Sequence, residues 1–179
     1  MISRLWAPWR IKYIKGKRNG RCVFCKLDRR YVIERSKHAF SILNIFPYNP
    51  GHVMVVPKRH IRQLGQLGAD ELLDLFQLVE RTRMLMERAL HPQGFNVGIN
   101  LGKFAGAGLW RHLHVHIVPR WLGDSNFMPV ISGTKIISAS LDSVARHLTQ
   151  TARQHPDLLT SASSSSKPTR RAKNIRGAG

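Results

Sequence analysis

Arg111-His-Leu-His-Val-His-Ile-Val-Pro-Arg120 sets His112, His114 and His116 at alternate positions among Leu113, Val115 and Ile117. An extended chain repeats every two residues. The pattern therefore predicts a strand over 113–118, with three imidazoles on one face and the aliphatics turned to the core. Imidazole can serve as nucleophile, general acid or base, or metal ligand near neutral pH. Taken alone, the strand leaves a metal site and a solvent-facing histidine row open beside catalysis. Just upstream lies Gly102-Lys-Phe-Ala-Gly-Ala-Gly108, with three glycines. Glycines let backbone amides approach a phosphate and form an anion nest. A glycine loop running into three histidines puts an anion holder beside a nucleophile.

Working outward, residues 96–100 read as a strand leading into that loop. Residues 52–57, His-Val-Met-Val-Val-Pro, form a short β-branched run closed by proline, the pattern of a buried strand. Residues 38–45 read as another strand. Phe46-Pro-Tyr-Asn-Pro-Gly51 between them is turn chemistry. Residues 69–90 give the clearest helix, with Leu72, Leu75, Phe76, Val79 and Met86 at spacings of three and four. Gly68 and Asp70 mark its start. A last helix is predicted over 141–153, with Leu141, Val144, Ala145 and Leu148 on one side. The expected fold class is α+β: an antiparallel sheet carrying one long helix.

The chain has 179 residues and a formal charge of +19. That length suits one domain. The charge is uneven: residues 1–27 carry eight basic and no acidic residues, and residues 158–179 carry five basic and none acidic. The predicted division is a basic N-terminal arm over 1–21, a folded domain over 22–157, and a disordered basic tail over 158–179. The tail's serine-rich, apolar-poor sequence cannot repay the entropy of ordering. Such arms are solvated or make weak contact with polyanions. No apolar run approaches the roughly 20 residues that span a bilayer, and the first residues lack a signal-peptide core. The expectation is a cytoplasmic protein without a membrane partner.

The two cysteines, Cys22 and Cys25, are two residues apart. That spacing suits a zinc thiolate pair or a redox pair, and the flanks lack a thioredoxin-like context. Two buried or free thiols remain the alternative. No carboxylate pair or Walker lysine motif is visible, which argues against a magnesium-clamped, kinase-like reaction.

His112-Leu-His-Val-His-Ile-Val resembles the signature of the histidine-triad (HIT) superfamily. The resemblance runs from about Leu5 to Val130 and includes Asn44, Pro50-Gly-His-Val-Met-Val-Val-Pro-Lys-Arg-His60, and Asn100 with Gly102. Leu5-Trp-Ala-Pro-Trp-Arg10 and Trp121-Leu-Gly-Asp-Ser-Asn-Phe-Met-Pro129 resemble the bacterial branch similar to diadenosine tetraphosphate phosphorylases. The resemblance implies a HIT-like sheet in a two-fold homodimer. It implies that His114 attacks an α-phosphorus and becomes nucleotidylated, while His112 and His116 bind phosphate oxygens. It assigns Asn44 to the ribose hydroxyls, and Asn100, Gly106 and Gly108 to the phosphate cradle. It also implies a structural zinc held by Cys22, Cys25, His60 and His112. Two departures stand out. Ala107, Gly108 and Leu109 offer no Gln or Ser side chain before the triad, and Arg111 replaces an acid. Lys103 and Arg111 flank the loop and are the candidate holders of an acceptor phosphate, whereas Arg120 has Asp124 within pairing reach. Three functions follow: phosphorolysis of diadenosine tetraphosphate to ADP and ATP; hydrolysis of a dinucleoside polyphosphate or nucleoside phosphoramidate; and a nucleotide- or RNA-binding module driven by the basic arms.

Overall fold

The computed structural model describes residues 22–26, 29–105, 109–122, 124 and 139–160. The basic arm over 1–21, Gly106, Gly108 and the segment over 125–130 lie outside the described residues.

A five-stranded antiparallel sheet has the order β1-β2-β3-β5-β4. The strands are β1 (Val32–Arg35), β2 (Ala39–Leu43), β3 (Val53–Pro57), β4 (Gly94–Ile99) and β5 (Val115–Arg120). Helix α1 (Ala69–Leu90) crosses one face, beside α2 (Leu141–Gln154) and the short α3 (Asp157–Thr160). β2 and β3 are buried at every position, so their residues alternate between two apolar clusters. Ala39, Leu43, Val53 and Val55 meet α1 together with Val115 and Ile117 of β5. Phe40, Ile42, Met54 and Val56 point the other way, under Phe24. That second face carries the histidines, since Met54 pairs with His116.

The histidine strand starts at Val115, so only His116 of the three lies in the paired ladder. The expected strand over 113–118 is displaced: the extended approach through Leu113 and His114 hydrogen-bonds instead to residue 61, with Leu113 N–H donating to the Ile61 carbonyl at 2.7 Å. Leu113, Val115 and Ile117 are buried as expected.

The bounds of α1 match the expected helix, but its buried face differs. Leu75, Leu78, Val79, Leu85, Met86 and Ala89 pack inward. Leu72 and Phe76 are exposed, because the sheet lies under the 75/78/82/85 stripe and these two flank it. Glu71 accepts the orphan Gly68 N–H at 2.9 Å and so caps the first turn. A buried Arg81–Glu34 pair at 2.9 Å ties α1 to β1. At the β2–β3 turn, Gly51 has φ +80°, and a Cβ there would lie 2.6 Å from Leu90 Cδ1. Only glycine fits there. α2 covers the expected last helix and is capped by Ser140, whose side chain accepts Ser143 N–H. The folded body extends past residue 157, where the tail was expected to begin. Asp157–Thr160 is helical and Leu158 is buried. Residues 161–179 lie outside the described residues.

Candidate functional site

His114 is 4% exposed, and its Nδ1 lies 2.8 Å from the His112 carbonyl. A carbonyl can only accept, so Nδ1 carries the proton and Nε2 keeps its lone pair. Burial lowers the His114 pKa, while the carbonyl contact opposes the shift. The ring is therefore held neutral, in the tautomer that a nitrogen nucleophile requires.

The same logic assigns His116. Tyr48 N–H donates to His52 Nδ1 at 3.1 Å, so His52 is protonated at Nε2. His52 Nε2–H then donates to His116 Nδ1 at 2.9 Å. That leaves His116 protonated at Nε2, on the side where the Asn100 carboxamide lies 3.5 Å away. The atom Asn100 presents there is Nδ2, and two donors make no hydrogen bond, so the His116 N–H stays available to a ligand. Burial first, then neighbouring histidines, drive His116 down to about 4 and His52 to about 3. The His114 and His116 rings meet edge-on at 4.7 Å.

His112 ends differently. Its Nε2–H donates to the Pro57 carbonyl at 2.9 Å, so Nδ1 is the bare nitrogen. Nδ1 lies 3.2 Å from Cys22 Sγ and 3.8 Å from Cys25 Sγ. Cys25 Sγ lies 3.2 Å from His60 Nδ1. One ligand atom each from Cys22, Cys25, His60 and His112 falls within 4.8 Å of the others. Two thiols and two imidazoles, one fixed in the metal-binding tautomer by a carbonyl behind it, suit a closed tetrahedral zinc set. Both His112 nitrogens are thus engaged. The expected contact from His112 to a phosphate oxygen has no nitrogen left to make it. His112 acts on His114 through its carbonyl instead.

The structure also places the remaining expected residues. Asn44 sits beside His52: its Oδ1 accepts Phe46 N–H at 3.0 Å, and its Nδ2 lies 3.2 Å from His52 Nδ1. Asn100 is at His116, and Gly102 opens the loop with φ +86°. Lys103 lies over the exposed Phe104 ring, and Arg111 over Trp110; among the described residues no contact joins either to the triad. Arg120 is held by both oxygens of Asp124, at 2.6 and 2.8 Å. A cleft of about 340 Å³ opens beside His116, bounded by Tyr48, Asn96, Gly98, Asn100 and Arg120.

Two residues escaped the sequence reading. His52 follows the turn glycine and reads as the first residue of a strand; nothing local marks it as a partner of His116. Phe24, between the cysteines, lies 5.4 Å from both the His112 and His114 rings. Its only signal in the sequence was its place between the two cysteines.

A family model described as HIT domain matches residues 28–121. A protein of Mycobacterium tuberculosis named AP-4-A phosphorylase is 39% identical over 168 residues, 86% of each chain. The asymmetrical bis(5'-nucleosyl)-tetraphosphatase of Schizosaccharomyces pombe is 38% identical over 93 residues, 52% of this chain and 50% of that one. The crystal structure of a zinc-bound histidine triad family protein from Mycobacterium smegmatis superposes with a TM-score of 0.62 at 26% identity, over 76% of this chain and 96% of that one.

Proposed function

Because this chain belongs to the HIT domain family, we propose that it cleaves diadenosine tetraphosphate by nucleotidyl transfer through His114, with inorganic phosphate as the acceptor. The carrying observation is the His114 Nδ1–H bond to the His112 carbonyl, which leaves Nε2 as the nucleophile. In the first step the Nε2 lone pair attacks one α-phosphorus. The bridging P–O bond breaks, and ATP departs with the electron pair, leaving AMP on the ring. In the second step a phosphate oxygen attacks the same phosphorus, the P–N bond breaks, and ADP leaves with His114 restored. Splitting one displacement into two lowers each barrier.

The N–H of His116, aimed by His52, supplies a fixed donor to a nonbridging oxygen as charge develops. Asn100 and the loop beginning at Gly102 supply further donors, with Gly106 and Gly108 assigned to the same cradle. Asn44 retains one N–H and one lone pair for ribose hydroxyls. The apolar cluster of Phe24, Ile42 and Met54 lies on the triad's face of the sheet and suits a nucleobase. Cys22, Cys25, His60 and His112 would hold zinc as a structural ion, and four ligands drawn together there would fix the segment that carries the His112 carbonyl. The expected homodimer belongs to the same reading: β4 is an edge strand, and Leu72, Leu73 and Phe76 leave apolar surface on α1. Among the described residues no helix is long and apolar enough to cross a membrane.

The test is chromatography of products from diadenosine tetraphosphate with and without millimolar phosphate. ADP plus ATP, at a rate that rises with phosphate, is the expected result. AMP plus ATP at every phosphate concentration would make the protein a hydrolase, as the name of the fission-yeast relative describes that protein.

A further inference from the structure

Two arginines converge on one indole, in the turn that leads into His112. Arg62 Cζ lies 5.6 Å from the Trp110 ring centroid and Arg111 Cζ lies 5.0 Å from it. Both arginines are exposed, and Trp110 is half-buried. Among the described residues neither guanidinium has a carboxylate partner, whereas Arg59, Arg81, Arg83 and Arg120 all do. Two cations against the same ring repel each other, and ring attraction is worth only about 1 kcal/mol apiece at exposed sites. A polyanion lying across both relieves that repulsion, and a planar guanidinium matches phosphate geometry.

The backbone ties this platform to the start of the histidine segment. His112 N–H donates to the Leu109 carbonyl at 3.2 Å, so Trp110 and Arg111 are the central residues of a turn that ends on His112. Leu109 packs on the apolar cluster containing Phe24. On the other side, the Ile61 carbonyl receives Leu113 N–H, which puts Arg62 one residue from the partner of His114's neighbour. Arg120, at the opposite end of the triad, is neutralised by its bidentate carboxylate and offers an anion much less.

We propose that Arg62 and Arg111, held on Trp110, form the subsite for the polyphosphate that His114 displaces from the α-phosphorus, and so select substrates with several phosphates beyond the scissile bond. The proposal rests on the nucleotidyl-transfer reading above. It gives Arg111 a different task from the acceptor-phosphate role suggested by its position in sequence. Trp110 is a positioning residue that keeps the two guanidiniums in register.

The experiment compares two substrates that would form the same nucleotidyl-His114. From diadenosine tetraphosphate the leaving group is ATP, while from adenosine 5'-phosphoramidate it is ammonia, which carries no phosphate. Arg62→Ala should raise the dinucleotide KM on the order of tenfold, as expected for one lost charge-assisted contact. Its phosphoramidate KM should move less than twofold. Trp110→Ala should show the same split, and Trp110→Phe should restore it. Inorganic tripolyphosphate should inhibit the wild type competitively, and Arg62→Ala several times more weakly. Equal KM changes on both substrates, or equal tripolyphosphate inhibition, would overturn the subsite. If the wild type cleaves neither substrate, the nucleotidyl-transfer reading fails; calorimetric binding of tripolyphosphate to wild type and Arg62→Ala then reports on the platform alone.

Discussion

His112 and His116 flank His114 at equal distances in sequence, carry the same side chain, and meet opposite surroundings. Around His112 a backbone carbonyl accepts the hydrogen bond of Nε2–H and turns the bare Nδ1 toward two thiols and His60. Around His116 a histidine donates to Nδ1 and turns the protonated Nε2 toward the open cleft. One end of the row is an anchor and the other is a donor. The difference is set by what stands behind each ring, since an imidazole shows a ligand whichever nitrogen its partner leaves over. His114, between them, takes its tautomer from the anchor and its neighbouring donor from the other end.

Removing the middle ring should have the largest effect on turnover. His114→Ala should lower kcat by at least about four orders of magnitude, or more than roughly 5 kcal/mol of barrier, because no other described group can accept the nucleotidyl group. Far-ultraviolet circular dichroism should be unchanged. A variant retaining a tenth of the wild-type rate would mean that transfer does not pass through His114.

The anchor end should fail in stability as well as in rate. Cys22→Ser removes a thiolate from the closed ligand set. Elemental analysis should give about one zinc per chain for the wild type and much less for the variant. Melting should drop by several degrees, and kcat should fall about a hundredfold as the His112 carbonyl loses its fixed place. Unchanged melting and metal-free wild-type protein would reduce the four residues to a polar cluster.

The donor end should affect rate with little loss of fold. His52→Leu removes the hydrogen bond that fixes the His116 tautomer and should cost tenfold to a hundredfold in kcat, with KM nearly constant. His52→Gln, whose carboxamide N–H can donate to His116 Nδ1, should recover much of it. Nitrogen-15 shifts of His116 separate this role from a packing role: they should report the Nε2–H tautomer in the wild type and a mixture in His52→Leu.

The two ends also differ in how far the sequence exposes them. The cysteine spacing and the alternating histidines are local patterns, and the anchor follows once the family resemblance adds His60. The donor relay is non-local: His52 looks like a strand residue after a turn, and only the β3–β5 pairing brings it to His116. For the same reason β1 was not anticipated. Val-Ile-Glu-Arg is short and half charged, and its Glu34 is stabilised by Arg81 from a helix 47 residues away. Long elements with strong periodicity, such as α1, were legible to the residue. Its buried face was not, because Leu72 and Phe76 satisfy the same spacing as the stripe that packs. The i,i+4 pair of Arg120 and Asp124 was readable because both partners lie on one short stretch.

The smallest effect expected is a pH dependence of stability located at the donor end. His52 and His116 face each other, with His114 and the Tyr48 ring beside them, and no carboxylate is seen against either ring among the described residues. Their folded pKa values, about 3 and about 4, lie below the ordinary 6.5. Between those values the unfolded chain binds protons that the folded chain refuses. Stability is therefore full above pH 6.5 and falls as the pH drops toward 4. From pH 7.5 to 5.5 each histidine should remove about 1.4 kcal/mol. At about 2–4 °C per kcal/mol for a chain of this size, that is roughly 3–6 °C per histidine. His52→Gln deletes one titration, so its melting temperature should fall by a few degrees less than that of the wild type over the same interval. Parallel melting curves for the two proteins would mean that the His52–His116 pair does not stay neutral in the folded state, and the donor assigned to His116 would lose its support.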